Sequence, residues 1–292
     1  MTRVAVLGLG IMGSGIAHNT LMAGYPLTVY NRTKEKAAPL IAAGAQWADS
    51  PALAAQQADI VISMVGDDSA SRAMWLGENC AFSAMRLHTI AVDCSTLSLD
   101  WTREWHAAAA AHDVKSIEAP VTGSKLAAES GTLTLLAGGD VDVLARARPV
   151  LSAFASNIVH FGPATAGAVY KLVNNLQGAI HLLALSEGLI IAERAGLNMA
   201  AVLEGVTSGA VSSPMVKGKA ARIIDRDYEE VHFSIRWMHK DLTYALRAAD
   251  ELGVPAPLVA AAREVYKMAI QLGLGDADIA AIGEVLRWQC AA

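Results

Sequence analysis

Short apolar runs alternate with longer helical stretches through the first half of the chain. Val4–Leu7, Leu27–Tyr30 and residues 59–65, 89–93, 114–119 and 133–137 read as strands, and residues 158–161 close as an edge strand. Near-continuous apolar strands separated by helical periods predict βαβ units and a largely parallel sheet covered on both faces. The pattern changes after Gly162-Pro163. Residues 164–195 carry a helical period with no internal Pro, roughly 45 Å of helix at 1.5 Å per residue. A helix of that length suits a spine joining two domains. Beyond it Met199–Ser208 and residues 214–224, 232–252, 257–272 and 277–288 all read as helices, punctuated by Gly196, Gly209, Gly253 with Pro255, and Gly273 with Gly275. The predicted organisation is an α/β domain, residues 1–163, then an all-α domain, residues 164–292, joined by the long helix.

Composition agrees with two buried cores. The 292 residues are 53% hydrophobic and 17% charged, which excludes a disordered chain and fits two domains. Net charge is −5, from 23 basic and 28 acidic residues with no basic run, so no nucleic-acid partner is expected. No stretch reaches the ~18 consecutive apolar residues of a membrane helix. Met1-Thr2-Arg3-Val4 enters a strand-like run with no secretory signal before it. Cys80, Cys94 and Cys290 are widely separated and lack metal-site spacing. Free thiols, a cytoplasmic location and no metal are therefore expected.

The first chemical motif is Gly8-Leu9-Gly10-Ile11-Met12-Gly13. GxGxxG alone is a weak signal. Here it follows a strand, opens a helix and precedes another strand, the context of a dinucleotide site in a Rossmann-type sheet. Gly8 permits the tight turn, Gly10 lets backbone approach a pyrophosphate, and Gly13 lets the helix pack closely on the sheet. The anion would sit on the helix N-terminus. At the end of the second strand, where an NAD site usually places a carboxylate, the sequence reads Tyr30-Asn31-Arg32-Thr33. Arg32 can clamp a 2′-phosphate, and Asn31 and Thr33 can add neutral donors. NADP(H) is expected over NAD(H).

Hydride transfer to a carbonyl needs an acid for the developing oxygen charge. Gly167, Lys171 and Asn175 recur at i, i+4 and i+8 in the long helix and share one face. Gly167 is read as leaving room beside the amine, with Asn175 orienting the ammonium through its amide oxygen. A Lys and two Asn within an apolar helix would be costly if buried without purpose; on spacing alone, a cation on the wet face explains Lys171 equally well.

These residues resemble the β-hydroxyacid dehydrogenase family, which includes 3-hydroxyisobutyrate dehydrogenases, tartronate semialdehyde reductases and glyoxylate/succinic semialdehyde reductases. The likeness covers essentially the whole chain. It rests on the Gly8–Gly13 loop, Asp93-Cys94-Ser95-Thr96 as a strand-end DxST, Ala119-Pro120-Val121-Thr122-Gly123-Ser124 as an APVSG segment, and Gly167…Lys171…Asn175. The resemblance implies that Lys171 is the catalytic acid/base, oriented by Asn175. It implies a substrate carboxylate on Thr122 and Gly123, helped by Ser124, and Thr96 beside both nicotinamide and substrate. It also places Phe233 and Asp241 toward the substrate, and Lys240, Ile11, Met12 and Val65 with the cofactor.

Gly123-Ser124-Lys125-Leu126-Ala127-Ala128-Glu129-Ser130-Gly131 is similar to the GSKxPAExG pattern of the glyoxylate/succinic semialdehyde reductase branch. Thr122 departs from the usual Ser and Ala127 from the usual Pro. The expected activity is NADPH-dependent reduction of short carboxylated aldehydes to hydroxy acids, in a homodimer or homotetramer. A 3-hydroxyisobutyrate or tartronate semialdehyde type of dehydrogenase is the alternative. Imine reduction on the same fold is a further rival, although those enzymes usually lack the helix lysine. So is a non-catalytic cofactor-binding module, a class that typically loses it.

Overall fold

Alternation of small and branched apolar residues gives each central strand two buried faces. The computed structural model describes residues 1–288. Its elements run β1 (Val4–Leu7), α1 (Ile11–Met22), β2 (Leu27–Tyr30), α2 (Ala38–Ala42), β3 (Gln46–Trp47), α3 (Pro51–Ala55), β4 (Ile60–Ser63), α4 (Asp68–Leu76), β5 (Ile90–Asp93), α5 (Leu99–Ala111), β6 (Lys115–Glu118), β7 (Val121–Thr122), α6 (Ser124–Glu129), β8 (Leu133–Gly139), α7 (Val141–Leu151) and β9 (Ala155–Gly162). Then follow α8 (Ala166–Arg194), α9 (Met199–Ser208), α10 (Pro214–Asp225), α11 (Ile235–Glu251), α12 (Pro257–Gln271) and α13 (Gly283–Trp288). The chain divides into two compact units, Met1–Lys171 and Leu172–Ala292, and the division falls within α8.

The sheet of the first unit has the order β3-β2-β1-β4-β5-β6-β8-β7, with β9 beside β8. Pairing is parallel from β3 through β6 and between β8 and β9; β8 is antiparallel to β6 and β7. The predicted doubly wound, mostly parallel sheet is therefore present. Strand order reverses between β1 and β4, so the loops after these strands open a crevice at their C-terminal ends. Val4, Val6, Ile60, Ile62, Ile90 and Val92 face one core. Ala5, Leu7, Val61 and Ala91 face the other, with Trp75, Trp101 and Trp105. Period-two burial of this kind is what strands covered on both sides require.

Two strands lay outside the sequence expectation. β3 and β7 are two-residue ladders, too short to show a period. The second unit holds helices, with boundaries that differ from the periodicity for local reasons. Thr165 adopts φ 80°, so α8 starts at Ala166 rather than 164. Phe233 and Ser234 are held extended against Asp278 and Ile279, so α11 starts at Ile235 instead of 232. Asp278 is extended and caps a 3₁₀ turn, Ile279–Ile282, which breaks the helix expected over 277–288. By length and apolarity α8 could cross a bilayer, but Lys171, Asn175 and Ser186 interrupt it and are buried. Cys80 and Cys94 are buried free thiols; Cys290 lies outside the described residues.

Ser98 shows how a single polar group fixes an element. Its Oγ accepts from Trp101 N at 3.2 Å, capping α5, and donates to Asp68 Oδ2 at 2.6 Å. Replacing a capping Ser by Ala costs ~1 kcal/mol or more. Ser98→Ala is expected to lower the thermal unfolding midpoint by a few degrees, measured by circular dichroism.

Candidate active site

The glycine loop folds as its motif requires. Gly8 has φ 97°. A Cβ on Gly13 would overlap the carbonyl oxygen of Gly8, whereas one on Gly10 would meet nothing within 4 Å. The α1 helix thus seats directly on the turn, while the Gly10 backbone stays open to a ligand. No side chain caps the α1 N-terminus, and its first turn holds no acidic residue. Ile11 is exposed and Met12 half-buried at this end. The arrangement fits an anion such as a dinucleotide pyrophosphate.

Asn31 is engaged by the protein on both sides of its amide. Its Oδ1 accepts from Leu9 N at 2.9 Å and its Nδ2 donates to Thr33 O at 2.8 Å. The side chain clamps the glycine loop to the end of β2, so its main work is positioning. Thr33 and Arg32 are exposed, and residues 30–33 contain no carboxylate. Lys34 is engaged with Asp49 at 3.9 Å and stands 5.2 Å from the Trp47 ring centroid.

Asp93 organises the ends of β4 and β5. Its Oδ2 accepts from Ser71 Oγ at 2.8 Å and Trp75 Nε1 at 2.9 Å, and its Oδ1 from Ser95 N at 2.9 Å. Ser95 Oγ in turn accepts from Val65 N at 2.9 Å. The N–H of Val65 is therefore spent on the protein, and only its side chain and carbonyl remain for a cofactor. The chain of bonds sets the backbone direction at Thr96, which is half-buried. Burial, with the Asp93 charge beside it, raises the Cys94 thiol above its ordinary range, leaving an inert core group.

Thr122 closes β7, paired with Thr134 of β8. Gly123 at φ 129° and Ser124 at φ 63° follow. The exposed backbone there turns sharply into α6. That helix is docked on α1, where Asn19 Nδ2 donates to Ala128 O at 2.9 Å. The residues read as a substrate segment thus belong to the same unit as the glycine loop, Thr96 and Lys171.

Gly167 needs a correction. A Cβ there would overlap the carbonyl oxygen of Leu136 and lie 2.8 Å from Gly138 N. The glycine seats the first turn of α8 on β8; it does not make room for the amine. Lys171 follows one turn later and is 8% exposed. That burial removes the alternative of a solvated surface cation.

Asn175 and the remaining predicted residues belong to the second unit. Asn175 Nδ2 donates to Asp241 Oδ2 at 2.6 Å, and its Oδ1 accepts from Asn174 Nδ2 at 3.0 Å. Asp241 is 2% exposed, with Lys240 Nζ 3.1 Å from its Oδ1. Lys240 also lies 5.0 Å from the Tyr244 ring centroid. Phe233 is half-buried, in the extended segment before α11.

A group the sequence did not reveal holds that segment. Asp278 Oδ1 accepts from Lys219 Nζ at 2.7 Å and Ala280 N at 3.0 Å; its Oδ2 accepts from His232 N at 2.9 Å and Phe233 N at 3.4 Å. Burial opposes its charge, but the Lys219 hydrogen bond and the backbone donors outweigh that and hold the carboxyl below its ordinary range. Because the folded state depresses this pKa, the stabilisation is present above about pH 4, the unfolded value, and is lost as pH falls below it. Asp278→Asn is expected to cost about 3 kcal/mol at neutral pH, since it strands a buried ammonium. Its melting temperature should also fall less steeply than the parent's between pH 5 and about 3, as followed by calorimetry.

Comparison with known proteins agrees with the fold. Residues 3–162 match the family model for the NAD-binding domain of 6-phosphogluconate dehydrogenase. Residues 165–286 match the family model described as NAD-binding of NADP-dependent 3-hydroxyisobutyrate dehydrogenase. Glyoxylate/succinic semialdehyde reductase 1 of Arabidopsis thaliana is 32% identical over 286 residues, covering 98% of this chain and 99% of that protein. The oxidoreductase YfjR of Bacillus subtilis is 35% identical over 282 residues, covering 96% and 98%. Among solved structures, a 3-hydroxyisobutyrate dehydrogenase of Mycobacterium tuberculosis with L-serine superposes with a TM-score of 0.89 at 32% identity, covering 98% of this chain and 99% of that one.

Proposed function

The chain belongs to the 3-hydroxyisobutyrate dehydrogenase family, and from that premise we propose an NADPH-dependent reductase of short carboxylated aldehydes, such as glyoxylate or succinic semialdehyde. That it is an oxidoreductase with an NAD(P)-binding domain follows from the family. The substrate class, the choice of NADPH and the role of the lysine are our reading.

The observation that carries this reading is the burial of Lys171, 8% exposed, on a helix whose first turn is seated on the sheet. Burying an ammonium is unfavourable unless partners hold it, and Lys171 is held in the same unit as the Gly8–Gly13 loop, Thr96 and Thr122. When bound, the reduced nicotinamide supplies the hydride. Lys171 gives its proton to the carbonyl oxygen as negative charge develops there, and takes it back in the reverse direction. Asn175 belongs beside it, fixed through its amide nitrogen to Asp241, with a carbonyl oxygen that can accept again. The substrate carboxylate docks at Thr122 and Gly123, with Ser124 as a further donor. The Gly8–Gly13 loop and the α1 N-terminus take the pyrophosphate, and Thr96 and Val65 of the same unit line the cofactor's path; the family resemblance alone assigns Lys240 to the cofactor. For Phe233 and Asp241, a role toward the substrate rests on the family resemblance alone.

NADPH is preferred on the same logic. Arg32 is an exposed guanidinium at the end of β2, where no carboxylate repels a 2′-phosphate. The 32% identity to a glyoxylate/succinic semialdehyde reductase across 98% of this chain supports the aldehyde class. The physiological form is proposed to be a cytoplasmic homodimer or homotetramer.

Initial rates with NADPH and NADH test the reading, using glyoxylate, succinic semialdehyde, tartronate semialdehyde and methylmalonate semialdehyde in parallel. Lys171→Ala is expected to lower kcat by about 10²–10⁴-fold, the range for loss of a positioned acid; unchanged turnover would exclude it from that role. Arg32→Ala is expected to raise the KM for NADPH about tenfold, the worth of one charge-assisted contact at an exposed site, with little change for NADH. An equal effect on both cofactors would remove Arg32 from the 2′-phosphate site.

A further inference from the structure

A buried carboxylate sits beneath the helix that carries Lys171. Glu118, the last residue of β6, is 3% exposed. Its Oε2 lies 2.5 Å from His106 Nε2, and its Oε1 accepts from Gly167 N at 3.2 Å, in the first turn of α8. His106 Nδ1 lies 2.8 Å from Ser116 Oγ, so this α5 side chain reads two alternate residues on one face of β6. Burying a carboxylate is unfavourable unless its partners compensate.

The surroundings are shaped for this group. Glu118 pairs in register with Asp93 of β5 on one side and Gly138 of β8 on the other. A Cβ on Gly138 would overlap Glu118 Oε1, and one on Gly167 would overlap the β8 backbone. Gly138 leaves the space that the carboxylate fills, Gly167 lets α8 seat on β8, and Glu118 bridges sheet and helix through its bond to Gly167 N. The next residues along the chain are Ala119-Pro120-Val121-Thr122. The Glu118 side chain is bonded to α8, while its backbone neighbours Asp93 in register and leads along the chain to Thr122. The α8 N–H groups carry partial positive charge, which favours an anion there.

We propose that Glu118, held by His106, is a positioning residue for the reaction: it fixes the first turn of α8 and hence the place of Lys171 relative to Thr96 and Thr122. The inference rests on the reading of Lys171 as the acid. An ångström of misplacement at a reacting group can cost about a hundredfold in rate. Glu118→Ala removes the bridge. Glu118→Gln keeps an oxygen for Gly167 N and an amide for His106.

The test uses the full-length protein with NADPH and the responsive aldehyde. Glu118→Ala is expected to lower kcat about tenfold to a hundredfold, with the KM for NADPH within twofold of the parent, and Glu118→Gln to restore most of the loss. His106→Ala, which removes only the second partner, is expected to fall between them, and it decides the matter if Glu118→Ala does not fold. Unchanged kcat in both alanine variants would overturn the proposal. So would a Gln variant as poor as Ala, which would assign the effect to charge. A second readout is independent of turnover. The rate at which an amine reagent labels Lys171, followed by peptide mass spectrometry, should change in the alanine variants and be conserved in Glu118→Gln. If the parent reduces no aldehyde, the proposed activity fails while the labelling comparison still stands or falls alone; equal labelling in all variants would refute the positioning role.

Discussion

A helix can rest its first turn on the end of a sheet only where no side chain stands between them. That constraint governs the first unit twice. At Gly13 the α1 turn meets the carbonyl of Gly8, and at Gly167 the α8 turn meets Leu136 and Gly138. Each close approach leaves backbone groups at the helix start without side-chain shielding. At α1 they face outward beside the open Gly10 backbone and suit an anionic ligand. At α8 a Gly167 N–H is satisfied internally by Glu118. The same packing device thus makes a binding end in one place and a rigid seat in the other.

The polar groups also hold backbone and helices in place. Asp93 and Asp278 accept from several protein donors, and Asn31 bonds both the glycine loop and Thr33. Lys171 and Asn175 are buried in a helix of mostly apolar residues, and Asn175 is bonded to Asp241. Asp278 and Asp93 each accept from several donors, the arrangement in which a buried carboxylate is tolerated. The Gly123-Ser124 turn, at φ 129° and 63°, leads directly into α6, which is docked on α1 through Asn19.

Much of the fold was legible because its signals are local. β1, β4 and β5 are built mainly of Val, Ile and Ala with every residue buried, and the long α8 has no internal Pro. β3 and β7 were not legible, because a two-residue ladder has no period. The starts of α8, α11 and the last helix were misplaced where tertiary bonds override a helical pattern, at Thr165, Phe233-Ser234 and Asp278. Of the site, the glycine loop could be read from spacing in its strand-turn-helix context, whereas the spacing of Lys171 fitted a cation on the wet face equally well and only the family resemblance singled it out. The purpose of Gly167 could not be read, since helical spacing says which residues share a face and nothing of what that face rests on. Glu118 and His106, and likewise Asp278 and Lys219, come from separate elements, and no short motif joins them.

Isotope transfer addresses the central claim most directly. The protein would be supplied with glyoxylate or succinic semialdehyde and NADPH carrying deuterium at the nicotinamide C4 position, and the product examined by mass spectrometry and NMR. One deuterium is expected on the former carbonyl carbon of a hydroxy acid, formed in equal amount to the NADPH consumed and lost in Lys171→Ala. NADPH consumption with an imine but with none of the carboxylated aldehydes would contradict it.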